Sequence, residues 1–107
     1  MTSPATFNDI IIRGMHHRGA FAKQYVAALE PGDILHLERE PDNQHDSNAI
    51  KVLTPEDHQH IGYIGGEHTQ FIAYYIDEEG ANYHAELVRL ESSRNNLYPI
   101  VTLVLDE

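Results

Sequence analysis

A chain of 107 residues with 41% apolar and 22% charged residues is the size of one globular domain and can bury a modest core. It has no cysteine, so it forms neither a disulfide nor a thiolate zinc site, and no apolar run approaches membrane-spanning length. The net charge of −10 argues against generic coating of duplex DNA, which draws its affinity from Lys and Arg on phosphates.

In chain order, residues 1–6 are expected to be a disordered tail without a signal-peptide pattern, which points to a soluble, cytoplasmic protein. Residues 7–13 carry Ile10, Ile11 and Ile12, a β-branched run that reads as a strand buried on both faces or at a barrel corner. Gly14 and Gly19 bracket the loop Met15-His16-His17-Arg18. Arg13, Arg18 and Lys23 meet only Asp9 in this part of the chain, so it alone leans basic. Phe21, Tyr25, Ala28 and Leu29 recur at helical spacing, which predicts a short helix ending before Pro31-Gly32.

Residues 33–40 alternate as a strand, and 49–53 are its partner. Between them lies a polar turn in which Asp42, Asn43 and Asn48 are expected to bond nearby backbone, making it rigid without a metal. Residues 61–64 form a short strand broken by Gly65-Gly66. From Glu67 to Asp77 a helix is predicted, with Phe71, Ile72, Tyr75 and Ile76 inward and Gly80 as its stop. Two strands, 83–91 and 97–105, close the chain around a hairpin loop, and Pro99 places the start of the last one at an edge. The total is about six strands with one or two helices and no βαβ rhythm: a mostly β (α+β) small barrel.

The stretch Arg39-Glu40-Pro41-Asp42-Asn43-x-x-Asp46-x-Asn48-Ala49-Ile50-x-Val52 resembles the signature of the HIRAN domain, and Ile61-Gly62-Tyr63-Ile64 fits the family's next block. That domain sits at the N-terminus of SWI/SNF-type DNA remodelling and repair helicases and also occurs alone in bacteria and phages. The resemblance implies an OB-like modified barrel over residues 7–107, with a pocket for the 3′ end of single-stranded DNA. Carried over by position, Asp46 would accept the terminal 3′-OH and His45 would pack on the terminal base. His16, His17 and Arg18 would supply stacking and a phosphate contact, since histidine can stack and carries partial charge near neutral pH. Arg39 and Tyr63 complete the expected binding set, with His16, His17, Arg18, His45, Asp46 and Tyr63 in one cleft. Helicase-attached members have lysine where this chain has Gly65-Gly66-Glu67, so one phosphate contact is expected to be missing.

No nucleophile elbow, phosphate loop or clustered Asp/Glu/Lys set appears, so no catalytic residue and no cofactor are expected. His58-x-His60 lacks a third ligand close in sequence, and no metal site is expected. The expected function is a non-catalytic module recognising single-stranded DNA ends in repair, replication or phage-related processes, bound weakly, with a helicase or nuclease as partner. The alternative is an acidic protein-interaction domain that has lost DNA binding.

Overall fold

Alternation along the strands fixes which side chains face inward. Ile10 and Ile12, Val52 and Ile50, Ala85 and Leu87, and Val101 and Leu103 are all buried, and each pair is separated by a more exposed neighbour. The computed structural model describes residues 2–107. The elements are β1 (Thr6–Arg13), a single 3₁₀ turn (Met15–His17), α1 (Ala20–Ala27), β2 (Ile34–Arg39), β3 (Ile50–Leu53), β4 (His60–Ile64), α2 (Thr69–Glu79), β5 (Tyr83–Ser93) and β6 (Asn96–Leu105). The strands close into a barrel in the order β1-β4-β3-β2-β5-β6, with every neighbouring pair antiparallel. This is the small six-stranded OB-like barrel expected from the sequence. Closure removes the free edges that a sheet of this size would expose.

Barrel closure needs strands that bend. β1 does so at a bulge between Phe7 and Ile10, where Asp9 takes φ 54°. β5 bends between Leu87 and Arg89. Pro99 pairs with Leu90 of β5, whereas the ladder with β1 reaches only Ile100. The residue without an N–H therefore lies just beyond the last β1 partner.

Of the expected tail, Met1 lies outside the described residues. From Pro4 onward the segment is tied to the barrel. The Tyr83 hydroxyl donates to the Pro4 carbonyl at 2.6 Å, the Leu105 N–H donates to Ala5, and Thr6 pairs with Val104.

Each helix buries part of the expected face: Leu29 and Ile72 are buried, and Tyr25, Tyr75 and Ile76 pack partly buried against the core, whereas Phe21, Ala28 and Phe71 are exposed. In α1 the buried residues are Ala22 and Val26, followed by Leu29 after the helix, while Phe21 is 51% exposed with its ring 5.9 Å from that of Tyr25. In α2 the buried residues are Thr69, Ile72 and Ala73, while Phe71 is 52% exposed. Small or branched residues take the closest contacts with the barrel, and Phe21 and Phe71 stay at the rim. α2 also starts two residues later than expected. It ends at Gly80, whose φ of 66° supplies the left-handed cap that the sequence suggested. No helix among the described residues is long and apolar enough to cross a membrane.

Ile72 has no exposed surface and joins α2 to the common core. Ile72→Ala is expected to lower unfolding free energy by about 2–5 kcal/mol through lost burial and the cavity left behind. Urea denaturation checks this, and a change below about 0.5 kcal/mol would mean that α2 is not part of the cooperative core.

Candidate nucleic-acid interface

The turn joining β2 to β3 is built around Glu40. Its Oε1 accepts from Asn43 Nδ2 at 2.6 Å and from the Tyr63 hydroxyl at 2.9 Å, and its Oε2 pairs with Lys51 Nζ at 3.2 Å. One carboxylate thus links the end of β2, the turn, β3 and β4. The bonds from Asn43 and Tyr63 hold its pKa down at about 2, against an ordinary 4.5. The Tyr63 pKa moves up, first through burial and then through its bond to Glu40, so the phenol stays protonated and donates.

Asn43 then organises the next residues. Its Oδ1 accepts the N–H groups of His45 and Asp46, both at 2.9 Å. Asp46 Oδ1 accepts the N–H of Asn48 at 2.9 Å, and the Ala49 N–H closes back on the Asp46 carbonyl. These are the side-chain-to-backbone bonds for which the residue types are suited, and no ion is needed. Of the three expected turn builders, Asn43 carries the structure. Asn48 contributes its backbone N–H, and Asp42 is exposed and makes no side-chain bond to another described residue.

Arg39 braces the turn from behind. Its guanidinium donates to the carbonyls of Ala49 (2.6 Å) and Ser47 (2.8 Å) and grips both oxygens of Asp77 near the end of α2. Its side chain keeps only 10% exposure. The sequence counted Arg39 among the strand contacts. The structure commits its donors internally, because the turn's carbonyls and Asp77 converge on it.

In front of this scaffold, Asn43, His45, Asp46, Ala49, Tyr63 and Ile64 line a cavity of about 300 Å³, at the small end of the range for ligand pockets. Tyr63 is a wall rather than a donor to a ligand. Its hydroxyl belongs to Glu40, and its ring meets His60 edge-on at 4.6 Å. The His45 ring is exposed and makes no contact with another described ring. Asp46 is held by one oxygen, while the other carries no bond to a described residue.

The loop after β1 does not enter this cavity as a unit. The rings of His16 and His17 lie 4.0 Å apart, but His16 lines a separate cavity of about 150 Å³ with Lys23, Val26 and Asn95. Arg18 is exposed on the Tyr63 side, close enough for its charge to lower the pKa of His60, which burial lowers first and further. His45, Asp46 and Tyr63 therefore share one cavity, and His16 belongs to another.

Arg13 counted in the sequence only toward the basic lean of its segment, not as a site residue. Its Cα pairs with Tyr63, and its side chain runs across Gly65, where an added Cβ would lie 2.8 Å from Arg13 Cδ. A cation thus crosses the place where a lysine was expected to be missing. The His58-x-His60 pair splits. His58 sits beside His36 at 3.4 Å, and the His60 ring bonds the Gly62 carbonyl. No three metal-ligating side chains converge among the described residues.

Two outcomes test this network. Asn43→Ala removes a bridge between Glu40 and two backbone N–H groups and is expected to cost about 1–3 kcal/mol, whereas Asn48→Ala, which deletes no bond, should stay within about 0.5 kcal/mol. Because the folded pKa of Glu40 lies below its ordinary value, its contribution is complete above about pH 4.5 and is lost as pH falls toward about 2. Thermal melts of wild type and Glu40→Gln should therefore differ most above pH 4.5 and converge toward pH 2. A gap that does not change with pH would deny Glu40 this role.

Residues 9–105 match the HIRAN domain family. A segment of 79 residues, 74% of the chain, is 27% identical to the helicase-like transcription factor of Oryctolagus cuniculus, and the match spans 8% of that protein's length. A crystal structure of a protein from Lactobacillus plantarum superposes with a TM-score of 0.75 at 24% identity, covering 95% of this chain and 96% of the other. The crystal structure of the HIRAN domain of human HLTF superposes with a TM-score of 0.68 at 18% identity, covering 94% of this chain and 74% of the other. With the family matched over nearly its whole length and the same barrel in two solved structures, this chain belongs to the HIRAN domain family.

Proposed function

We propose that this chain is a non-catalytic module that binds single-stranded DNA and holds its 3′ end in the cavity between the β2–β3 turn and Tyr63. The observation that carries this reading is Asp46. The turn fixes the carboxylate by one oxygen and leaves the other without a bond to a described residue, and Asp46 lines a cavity together with His45. A carboxylate so placed accepts a hydrogen bond from a hydroxyl and repels a phosphate. His45 offers a face for the terminal base, and base–aromatic stacking is worth roughly 1–3 kcal/mol.

Phosphates need cations, and Arg13 and Arg18 supply them. Neither makes an ion pair with a described residue. Arg13 reaches over Gly65 and takes the place of the missing lysine. The acidic remainder of the chain keeps affinity weak and strongly dependent on salt. The matched part of the rabbit relative belongs to a protein named helicase-like, which supports a helicase as the partner of this module. The net charge of −10 favours a second reading, an acidic surface that docks a basic protein.

Titration of labelled single strands ending in 3′-OH or 3′-phosphate separates the two. Wild type is expected to prefer the 3′-OH strand, and Asp46→Ala should erase the preference. Arg18→Ala should weaken both strands and flatten the salt slope by about 0.7, the single-strand value for one phosphate contact. Gly65→Ala forces the Arg13 stem aside and should mimic Arg13→Ala in binding while leaving stability nearly unchanged. Folded protein that binds neither strand at low salt would remove the DNA reading and leave the docking one.

A further inference from the structure

The chain has seven Lys and Arg residues. Arg39, Lys51 and Arg89 each pair with a carboxylate. Arg13, Arg18, Lys23 and Arg94 pair with none among the described residues, in a chain with 17 acidic side chains. Three of them fall between the end of β1 and α1, and the fourth adjoins Asn95, which shares a cavity with Lys23. Arg13 ends β1 beside Tyr63, Arg18 follows the 3₁₀ turn, Lys23 lies on α1, and Arg94 sits at the β5–β6 hairpin tip.

The part around Lys23 has its own concavity. Met15, His16, Lys23, Val26, Asn95, Asn96 and Leu97 line the cavity of about 150 Å³, with no carboxylate among them. Met15 and Val26 form a buried floor, and Lys23, His16 and the two asparagines offer a cation and hydrogen-bonding groups at the rim. Met15 also reaches toward the first site, since its sulfur packs at Gly62, the neighbour of Tyr63 in β4.

The hairpin tip adds an independent sign. Arg94 and Asn95 both have left-handed backbones, with φ of 50° and 67°, between paired Ser93 and Asn96. Such a two-residue turn is best served by Asn-Gly or Asp-Gly. Asn95 suits its position, but Arg94 pays a conformational penalty there. An exposed arginine held in a disfavoured backbone fits a side chain kept for its charge.

We propose that this face is a second contact site for the nucleic-acid backbone, in which Lys23 and Arg94 take phosphates and His16, Asn95 and Asn96 contact sugar or base. The strand whose 3′ end lies in the turn cavity continues past Arg18 and across α1 to the hairpin. This inference rests on the proposed function and lengthens its footprint toward the several nucleotides that OB-type barrels span, about 4–16.

The test is fluorescence anisotropy with 5′-labelled oligothymidylates of about 3 and about 10 nucleotides, bearing 3′-OH or 3′-phosphate ends. Wild type is expected to bind the longer strand at least about tenfold more tightly. The double variant Lys23→Ala/Arg94→Gly should lose that gain and about 1.4 of the salt slope, two phosphate contacts. Its affinity for the short strand and its preference for 3′-OH should match wild type. Glycine relieves the left-handed backbone at position 94, so the variant should melt no lower than wild type, which separates lost contacts from lost folding. A length gain that survives the double variant overturns the second site, as does a wild type that binds both lengths equally. If neither length binds folded wild type, the end-binding reading fails and this one falls with it.

Discussion

A single carboxylate, Glu40, holds the candidate site together. It accepts from Asn43 within the turn and from Tyr63 on β4, and it pairs with Lys51 on β3. A loop of polar residues would ordinarily sample many conformations, and ordering each residue costs about 1–2 kcal/mol of backbone entropy. Here several bonds converge on one acceptor, so fixing Glu40 fixes its neighbours together. Arg39 does the same from the other side, tying the carbonyls of Ser47 and Ala49 to Asp77 on α2. The outcome is a fixed turn in which His45 and one oxygen of Asp46 are among the exposed groups that the scaffold leaves uncommitted.

Electrostatics shape what this surface can take. A chain of net charge −10 repels a polyanion at long range, while a short strip of unpaired cations attracts it locally. Arg39, Lys51 and Arg89 are neutralised in structural ion pairs and add little to that attraction. That balance suits the proposed single strand better than a duplex, which would also meet the acidic flanks. A carboxylate accepts from a hydroxyl and repels a phosphate, so the proposed role of Asp46 is end recognition rather than coating.

Local features were legible in the sequence, and distant ones were not. Asn43 and Asp46 bond backbone two and three residues away, and that reach is a property of the residue types themselves. Barrel strands announced themselves by alternation, and Gly80 by the need for a left-handed cap. By contrast, Tyr63 meets Glu40 across 23 positions and Arg39 meets Asp77 across 38, contacts that only the barrel's closure brings together. The helix faces were legible in part: Leu29, Ile72, Tyr75 and Ile76 pack on the core as expected, whereas Phe21 and Phe71 stay exposed and the small or branched Ala22, Val26 and Ala73 take barrel contacts that periodicity of the bulky residues did not show. Arg13 was invisible as a site residue because its position depends on the missing Cβ of Gly65, on another strand's end.

The central claim is that a rigid turn presents Asp46 and His45 to a strand end while Arg13 and Arg18 hold its backbone. The most direct measurement is an amide chemical-shift titration of the isotopically labelled protein with a short 3′-OH oligothymidylate. The account predicts that the largest shifts fall in residues 45–49 and 13–18 and around Tyr63, with little change across the α2 surface. Shifts concentrated on the acidic faces, or none at all at low salt in folded protein, would contradict it.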